Sequence, residues 1–236
     1  MKKALYLVVL SMILTLVSCK KDTAGNKTIT LTTTSVTLHY EDVFQIPAQC
    51  DSPITYTSNN EYHAQVTSSG LVTAKHVGTT TITLSSEDDT KTFTVIVNPR
   101  SNLYPEPDIE FGETKESVIL KLGEPDITTN NGLYNTEEIQ YTYNSTTVKN
   151  LHIIFDDNNC VFLYSILVYS PASTLLFDYL LERYIYSGCD YGTYFNTYYY
   201  TNGITPETES MNILLYSYTE DYWHIDYIPL NYNSTH

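Results

Sequence analysis

Side chains that could carry acid–base or metal chemistry are few and scattered in this sequence. The histidines show no metal-ligand spacing on a single element; they are His39, His63, His76, His152, His224 and His236. The neighbouring carboxylates Glu137–Glu138 and Asp156–Asp157 would point to opposite sides of an extended chain, so they do not share a site. A Gly-x-Ser-x-Gly elbow, a phosphate-binding loop and a dinucleotide fingerprint are absent from the sequence. We therefore predict no catalytic residue, no metal and no cofactor, and a protein that is not an enzyme.

One short run combines a carboxylate, two aromatic rings and an imidazole. It is Asp221-Tyr222-Trp223-His224, and it contains the single tryptophan of the chain. Such a mixture suits a ligand patch, because flat rings and polar groups lie close together. Packing of an edge strand is the alternative explanation.

The C-terminal half is dense in aromatic residues, and tyrosine dominates with 23 Tyr against 7 Phe and 1 Trp. Rings beside polar neighbours can stack on the CH groups of a sugar. The candidate glycan-binding residues are Tyr194, Tyr198, Tyr199, Tyr200, Tyr222 and Trp223. The alternative, which we favour, is a β-sheet that uses tyrosine as its strand former.

The N-terminus has the layout of an export signal. Lys2 and Lys3 precede an apolar run over residues 5–16, which is too short to span a bilayer. The run ends in Leu16-Val17-Ser18-Cys19, which resembles the bacterial lipobox. The resemblance implies that residues 1–18 are a cleaved signal and that Cys19 carries lipid, with residues 19–26 as a tether. An ordinary secretory signal with an incidental cysteine is the alternative.

A lipid on Cys19 would make the membrane itself one partner of this protein. We expect a lipid-anchored protein of the cell envelope, at the outer membrane, with its side of that membrane left open. Asp22-Thr23-Ala24 resembles the O-glycosylation acceptor of exported proteins in the Bacteroidota, so Thr23 is a candidate glycosylation site.

The net charge of −15 limits the other partners. Nucleic acid and anionic lipid headgroups are both bound through Lys and Arg, so the acidic balance argues against them. Three cysteines remain after Cys19. Cys50 continues an alternating strand pattern and fits a small core residue, while pairing of Cys160 with Cys189 stays open.

Residues 27–99 alternate apolar and polar side chains in short runs separated by turn residues, which predicts an all-β sandwich. Gly70 and Gly78 stand at tight reversals, where we expect positive φ. The segments Ile54–Asn59, Val66–Lys75, Val77–Ile82 and Phe93–Val97 resemble the bacterial immunoglobulin-like domain, group 2. Tyr56 replaces the usual Trp of that family, and Glu41-Asp42 replaces Gly-Glu. The resemblance implies a spacer or adhesion module without catalytic residues.

The proline-marked stretch 100–110 predicts an extended linker. Residues 111–230 then follow the order helix, three strands, helix, three strands, and residues 231–236 form a tail. The fold class predicted for the whole chain is an all-β immunoglobulin-like sandwich followed by a tyrosine-rich α+β domain of two related halves.

Each helix of this second domain has its own sequence signals. Thr114 is the expected cap of a helix that runs through Lys121 and ends at Gly123. Ser170 is the expected cap of a second helix that Gly188 ends.

The segment from Phe111 to Pro125 resembles the opening of the SmpA/OmlA-type envelope-assembly lipoproteins and of β-lactamase-inhibitor-like repeats. Its Gly-x-Thr and Leu-Gly-x-Pro elements carry the resemblance, which extends over residues 111–168. A capped helix that ends in Gly and Pro would show the same residues.

We interpret the chain as a non-catalytic envelope lipoprotein, in which an Ig-like spacer presents a domain that binds a glycan or another envelope protein. An envelope-assembly subunit is the alternative function, and a glycan-processing enzyme has the least support. The identity of the ligand and the oligomeric state stay open.

Overall fold

The computed structural model describes residues 27–131, 136–193, 196–205, 207–217 and 219–230. The predicted signal, tether and tail, with Cys19 and Thr23, lie outside the described residues, as does Tyr194. None of the described helices is long and apolar enough to cross a membrane.

Residues 27–99 form a β-sandwich, here called the Ig-like part. Its strands are β1 (Thr30–Leu31), β2 (Ser35–His39), β3 (Val43–Gln45), β4 (Ala48–Gln49), β5 (Thr55–Ser58), β6 (Ala64–Val66), β7 (Leu71–Ala74), β8 (Gly78–Ser85) and β9 (Thr90–Asn98). One sheet has the order β2-β9-β8-β5 and a second has the order β3-β7-β6, while β1 pairs with β4. Strand β2 runs parallel to β9, and the other pairs are antiparallel.

Alternation along the strands builds the core of the Ig-like part. Phe93, Val95 and Val97 point inward from β9 and meet Ile82 and Leu84 of β8, all at most 2% exposed. This is the period of two that the sequence predicts for strands with one buried face.

Gly70 and Gly78 adopt positive φ, +81° and +142°, in agreement with the expectation for both. A Cβ atom on Gly78 would lie 2.2 Å from the His63 ring, so this position excludes a side chain by space as well as by backbone conformation.

The second part begins with α1 (Lys115–Leu122) and continues with β10 (Ile127–Asn131), β11 (Thr136–Thr142), β12 (Val148–Phe155) and β13 (Val161–Tyr169). A 3-10 turn (Ser170–Ala172) leads into α2 (Ser173–Leu181). Strands β14 (Ile185–Tyr191), β15 (Asn196–Thr201), β16 (Met211–Tyr216) and β17 (Tyr222–Pro229) follow. The eight strands form one sheet in the order β10-β11-β12-β13-β17-β16-β15-β14.

This sheet is antiparallel throughout and built from two matching halves. Each half is a helix followed by four strands, and the last strands of the halves, β13 and β17, pair at the centre. The prediction counted three strands in each half and missed the two edge strands, β10 and β14. The part predicted as α+β is therefore dominated by β-sheet, with two helices of only eight and nine residues.

The ends of α1 agree with the sequence signals, and those of α2 do not. Thr114 caps α1 by accepting a hydrogen bond from the Ser117 backbone at 3.3 Å, and Gly123 follows the helix with φ +89°. Ser170 lies inside the 3-10 turn that precedes α2, and α2 ends at Leu181. Gly188, expected to end this helix, belongs to β14.

Both helices pack on one face of the eight-stranded sheet. Val118 of α1 and Leu176 of α2 share a core with Tyr164, Ile166 and Val168 of β13. Ser165 and Leu167 alternate with these residues and point to the other side. We call that other side the open face, because neither helix lies on it.

Residues 100–110, predicted as a linker, are held against the second part. Leu103 and Tyr104 are buried in its core, and the Tyr104 hydroxyl lies 2.6 Å from the hydroxyl of Tyr227. Burial raises the pKa of both phenols well above the ordinary value, which keeps them neutral. The hydroxyl pair lets two tyrosines enter an apolar core with hydrogen bonds made.

None of the three described cysteines forms a disulfide. Cys160 directly precedes β13, which belongs to the first half of the sheet. Cys189 lies on β14, the edge strand of the second half. The two are therefore on different halves of the sheet, and the structure does not pair them.

Candidate ligand surfaces and the contact between the two parts

The predicted aromatic residues divide between the two faces of the eight-stranded sheet. Tyr200 is only 1% exposed and packs in the core, so its ring cannot stack on a ligand and this candidate is wrong. Tyr198 and Trp223 lie on the helix side, half-buried, where both rings meet the edge of Phe177 from α2. These two candidates lie close together, with ring centroids 6.3 Å apart.

Tyr199 and Tyr222 point to the open face, away from the other candidates. Tyr199 lies beside Leu214, which lies beside Asp226 of β17. Tyr222 is four residues from Asp226 on the same strand, a displacement of about 13 Å along the sheet. The candidate rings thus form no single platform.

The run Asp221–His224 does not form a cluster either. Its side chains alternate between the faces, because three of its four residues begin β17: Trp223 lies on the helix side, and Tyr222 and His224 lie on the open face.

The open face mixes aliphatic, aromatic and ionisable side chains, most of them half-buried by their neighbours in the sheet. Its aliphatic residues are Ile154, Leu163, Leu167, Leu214 and Ile228. Its aromatic residues are Tyr169, Tyr199, Tyr216 and Tyr222. A strand alternation with one solvated face usually places polar residues there, so the aliphatic positions need a separate explanation.

A hydrogen-bonded group of side chains lies in the middle of this face. The Asp226 carboxylate accepts from the Ser165 hydroxyl and from the Tyr216 hydroxyl, each at 2.6 Å. His224 stacks on the Tyr216 ring with centroids 5.2 Å apart. Burial lowers the pKa of His224. The charge of Asp226 raises this pKa by less, and His152 lowers it slightly. These contacts leave the Asp226 carboxylate with partners inside the protein.

Ser165, His152 and Glu138 include the residue types of a hydrolytic triad, yet their contacts do not make one. His152 lies opposite Ser165 in the strand register and contacts Glu138 through Nδ1. The Ser165 hydroxyl, however, donates to Asp226 and not to His152. Nearby backbone N–H groups belong to the sheet ladder, so they are not free to stabilise an oxyanion.

Among the residues that the structure describes, no three His, Cys, Asp or Glu side chains group closely enough to hold a metal ion.

The two parts of the chain meet at the end of α2, through Glu182. This carboxylate is 5% exposed, and its Oε2 accepts hydrogen bonds from the backbone N–H groups of Arg100 at 2.9 Å and Ser101 at 3.1 Å. The Glu182 carbonyl accepts from the Val77 N–H at 2.8 Å. One residue therefore binds the second part to both the linker and the Ig-like part.

Arg183 completes this contact. Its guanidinium lies 3.6 Å above the Tyr179 ring and donates to the carbonyl oxygens of Tyr179 and Ser101. Its own carbonyl accepts from the Tyr62 hydroxyl. A further ion pair joins Arg100 to Asp42 at 2.7 Å. Sequence analysis did not single out these residues, since their roles depend on how the two parts meet.

His76 lies in the same contact, with its ring tilted by 37° against that of Tyr62 and the ring centroids 4.5 Å apart. Burial lowers its pKa to about 4; the Leu181 carbonyl raises it less, and His63 and Lys75 lower it slightly. Nδ1 of the ring is buried without a hydrogen-bond partner. The ring is therefore neutral at pH 7 and packs as an aromatic group.

Two clefts flank this contact. One, of about 970 Å³, is lined by Tyr40, Asp42, Arg100, Leu175 and Asp178 among others. The second, of about 670 Å³, is lined by Asn60, Tyr62, His63, Glu106 and Ile204 among others, and we call it the Tyr62 cleft. Both lie within the size range of small-ligand sites, and clefts between domains are common places for such sites.

Replacing Glu182 tests the contact directly. Glu182→Ala leaves two part-buried N–H groups and the Arg183 charge without this acceptor, so we expect a loss of about 2 kcal/mol in the free energy of docking. Trypsin should then cut after Arg100 at least about tenfold faster. The cleavage rate of Glu182→Gln, which retains one acceptor oxygen, should lie between those of the wild type and Glu182→Ala. Asp178 is exposed, so Asp178→Ala should be cut at the wild-type rate. An unchanged rate in Glu182→Ala would contradict the role of this carboxylate.

The His76 pKa predicts a loss of stability in acid. An unfolded histidine binds a proton near pH 6.5, whereas His76 in the folded chain resists protonation until about pH 4. The stabilisation is therefore complete above pH 6.5 and declines as pH falls toward 4. Melting temperatures measured from pH 7.5 to 4.5 should fall more steeply in the wild type than in His76→Phe. His224 is present in both proteins, so its effect cancels; parallel curves would refute the prediction.

Comparison with known proteins agrees with the geometry of the Ig-like part. Residues 26–97 match the family model of the bacterial Ig-like domain (group 2). The match covers the sandwich that the sequence assigns to residues 27–99. Glu41, at the position where the sequence resemblance implies a glycine, adopts φ +66°, a conformation that glycine reaches without cost.

Two solved structures align with most of the chain at low similarity. Domains 5–6 of the S-layer protein SbsC are 15% identical over 85% of this chain and 95% of that one, with a TM-score of 0.26. Human protocadherin-24 EC1-2 is 12% identical over 80% of this chain and 94% of that one, with a TM-score of 0.25. No curated protein matches the chain. Residues 26–97 are thus similar to bacterial Ig-like domains of group 2.

Proposed function

We propose that this protein is a non-catalytic lipoprotein of the cell envelope, in which the Ig-like part serves as a spacer and the open face binds another protein. The observation that carries the proposal is the one-sided packing of the eight-stranded sheet. Both helices cover one face, and the other presents aliphatic and tyrosine side chains. An Ig-like part of the spacer or adhesion type is consistent with this role.

The composition of the open face suits a protein partner. Leu167 and Leu214 lie near its middle, flanked by Tyr169, Tyr199 and Tyr216. Aromatic residues such as tyrosine supply much of the binding energy in protein interfaces, and lysine is depleted there. Lys149, on the strand beside these residues, covers the Tyr222 ring at 4.3 Å. A wide, partly apolar surface of this kind usually marks an interaction site.

A glycan is less well matched to the same face. Tyr199 and Tyr222 lie far apart, and the Tyr199 hydroxyl is bonded to Asp190 at 2.9 Å. Asp226, Ser165 and Tyr216 satisfy one another. The middle of the face therefore offers a sugar few free polar groups, whereas a protein needs only complementary apolar shape at its centre.

The anchor and location rest on the sequence. The lipobox resemblance at Cys19 supports attachment to a membrane by lipid, and the Bacteroidota-type acceptor at Thr23 supports glycosylation of the tether. We place the protein at the outer membrane, facing either the periplasm or the outside. The envelope-assembly alternative depends on the resemblance at residues 111–125 alone, so we rank it second.

Site-specific photo-crosslinking in the bacterial envelope tests the open face. A photoreactive residue at Leu214 should form a covalent adduct with a discrete protein, identified by mass spectrometry. Leu167→Glu should reduce that adduct at least about tenfold, since it places a charge in the centre of the interface. A photoreactive residue at Leu120, which is 88% exposed on α1, is the matched control and should give no such adduct.

Three results would contradict the proposal. These are equal adducts at Leu120 and Leu214, no protein adduct at Leu214, and an adduct insensitive to Leu167→Glu in a variant whose melting temperature is unchanged.

A further inference from the structure

The Tyr62 cleft is separate from the open face and is formed jointly by the Ig-like part, the linker and the second part. Asn60, Tyr62 and His63 come from the Ig-like part, Glu106 from the linker, and Ile204 from the loop between β15 and β16. The cleft exists only while the two parts are docked, because no single segment supplies all its walls.

Three polar groups in this cleft keep hydrogen-bonding capacity. The Asn60 Oδ1 atom accepts a hydrogen bond from the Tyr62 N–H at 3.0 Å, so the amide nitrogen can still donate to a ligand. The His63 Nδ1 atom is hydrogen-bonded to the His76 carbonyl at 3.2 Å, so Nε2 is the ring nitrogen that can bond to a ligand. The Glu106 Oε1 atom accepts a hydrogen bond from the Tyr184 hydroxyl at 2.5 Å, so Oε2 can still accept one from a ligand. A ligand here would meet an amide donor, an imidazole nitrogen and a carboxylate acceptor.

The charge of the cleft excludes an anionic ligand. Its one cationic lining residue, Arg183, faces Glu106 at 3.7 Å and Glu182 at 3.7 Å, and donates to two carbonyl oxygens. No cation is left to pair with a phosphate or carboxylate of the ligand. The Glu106 side chain is 45% exposed and partly neutralised by Arg183, so it suits a hydroxyl donor.

Apolar side chains complete the wall beside Asn59, Asn202 and Thr208. Val77, Ile204 and Met211 line the cleft, and Ile204 is 45% exposed. Hydroxyl groups that both donate and accept, carried on a ring with CH faces, match this combination of free polar atoms and apolar wall. We propose that the Tyr62 cleft binds a neutral saccharide of one or a few sugar units. Saccharide binding in this cleft does not depend on the open face or on the protein partner proposed for that face.

The test is a glycan array with the purified protein, followed by calorimetry on the retained glycans. We expect neutral glycans to bind and acidic ones to be rejected. Ile204→Trp should weaken binding at least about tenfold by filling the cleft. Leu175→Trp is the matched control, because Leu175 is a similarly exposed residue that lines the other cleft; its binding should be unchanged.

A second variant separates hydrogen bonding from shape. Asn60→Asp retains the oxygen that accepts from Tyr62 and removes the amide donor, so the affinity should fall severalfold while the melting temperature holds. The proposal is overturned if no neutral glycan binds, if acidic glycans bind instead, or if Ile204→Trp and Leu175→Trp have equal effects. Loss of the Leu214 adduct would leave it standing, because that adduct reports on the open face alone.

Discussion

The carboxylate of Glu182 is the constraint on which the arrangement of this molecule depends. A carboxylate that is 5% exposed must be compensated, and here the compensation comes from the backbone of the linker and from Arg183. Because the same residue accepts from Val77 through its carbonyl, the Ig-like part is bound at the same point. The orientation of the open face relative to the spacer follows from these contacts. The two clefts on either side of the contact also follow from it.

The abundance of tyrosine follows from two different structural roles. Tyr104 and Tyr227 are buried in the second core with their hydroxyls paired, and the Arg183 guanidinium covers the buried Tyr179 ring. Tyr199 and Tyr222 are strand residues on the open face. The strand-forming role of tyrosine thus accounts for most of the candidates first considered as a sugar platform. A saccharide finds better chemistry in the cleft between the parts.

The elements that are specified locally could be predicted from the sequence. The alternation of β9, the positive φ of Gly78 and the Thr114 cap each depend on neighbouring residues only. The edge strands β10 and β14 lack such a signal, because one carries Thr-Thr-Asn-Asn and the other is interrupted by Gly188.

Other features depend on tertiary contacts or on the alternation of side chains between the two faces of a strand. The end of α2 is fixed by the contacts of Glu182, which connect it to residues about eighty positions away. Tyr198, Tyr199 and Tyr200 are consecutive in a strand, so alternation alone already places them on two faces. The clefts follow from the docking of two parts, which no local pattern encodes.

Residual dipolar couplings of residues 27–236 test most directly whether the Glu182 contact makes one body of the two parts. If it does, one alignment tensor will fit the couplings of the β8–β9 sheet and of the eight-stranded sheet together. Two tensors of clearly different magnitude would mean that the parts reorient independently. That result would contradict the central role assigned to Glu182.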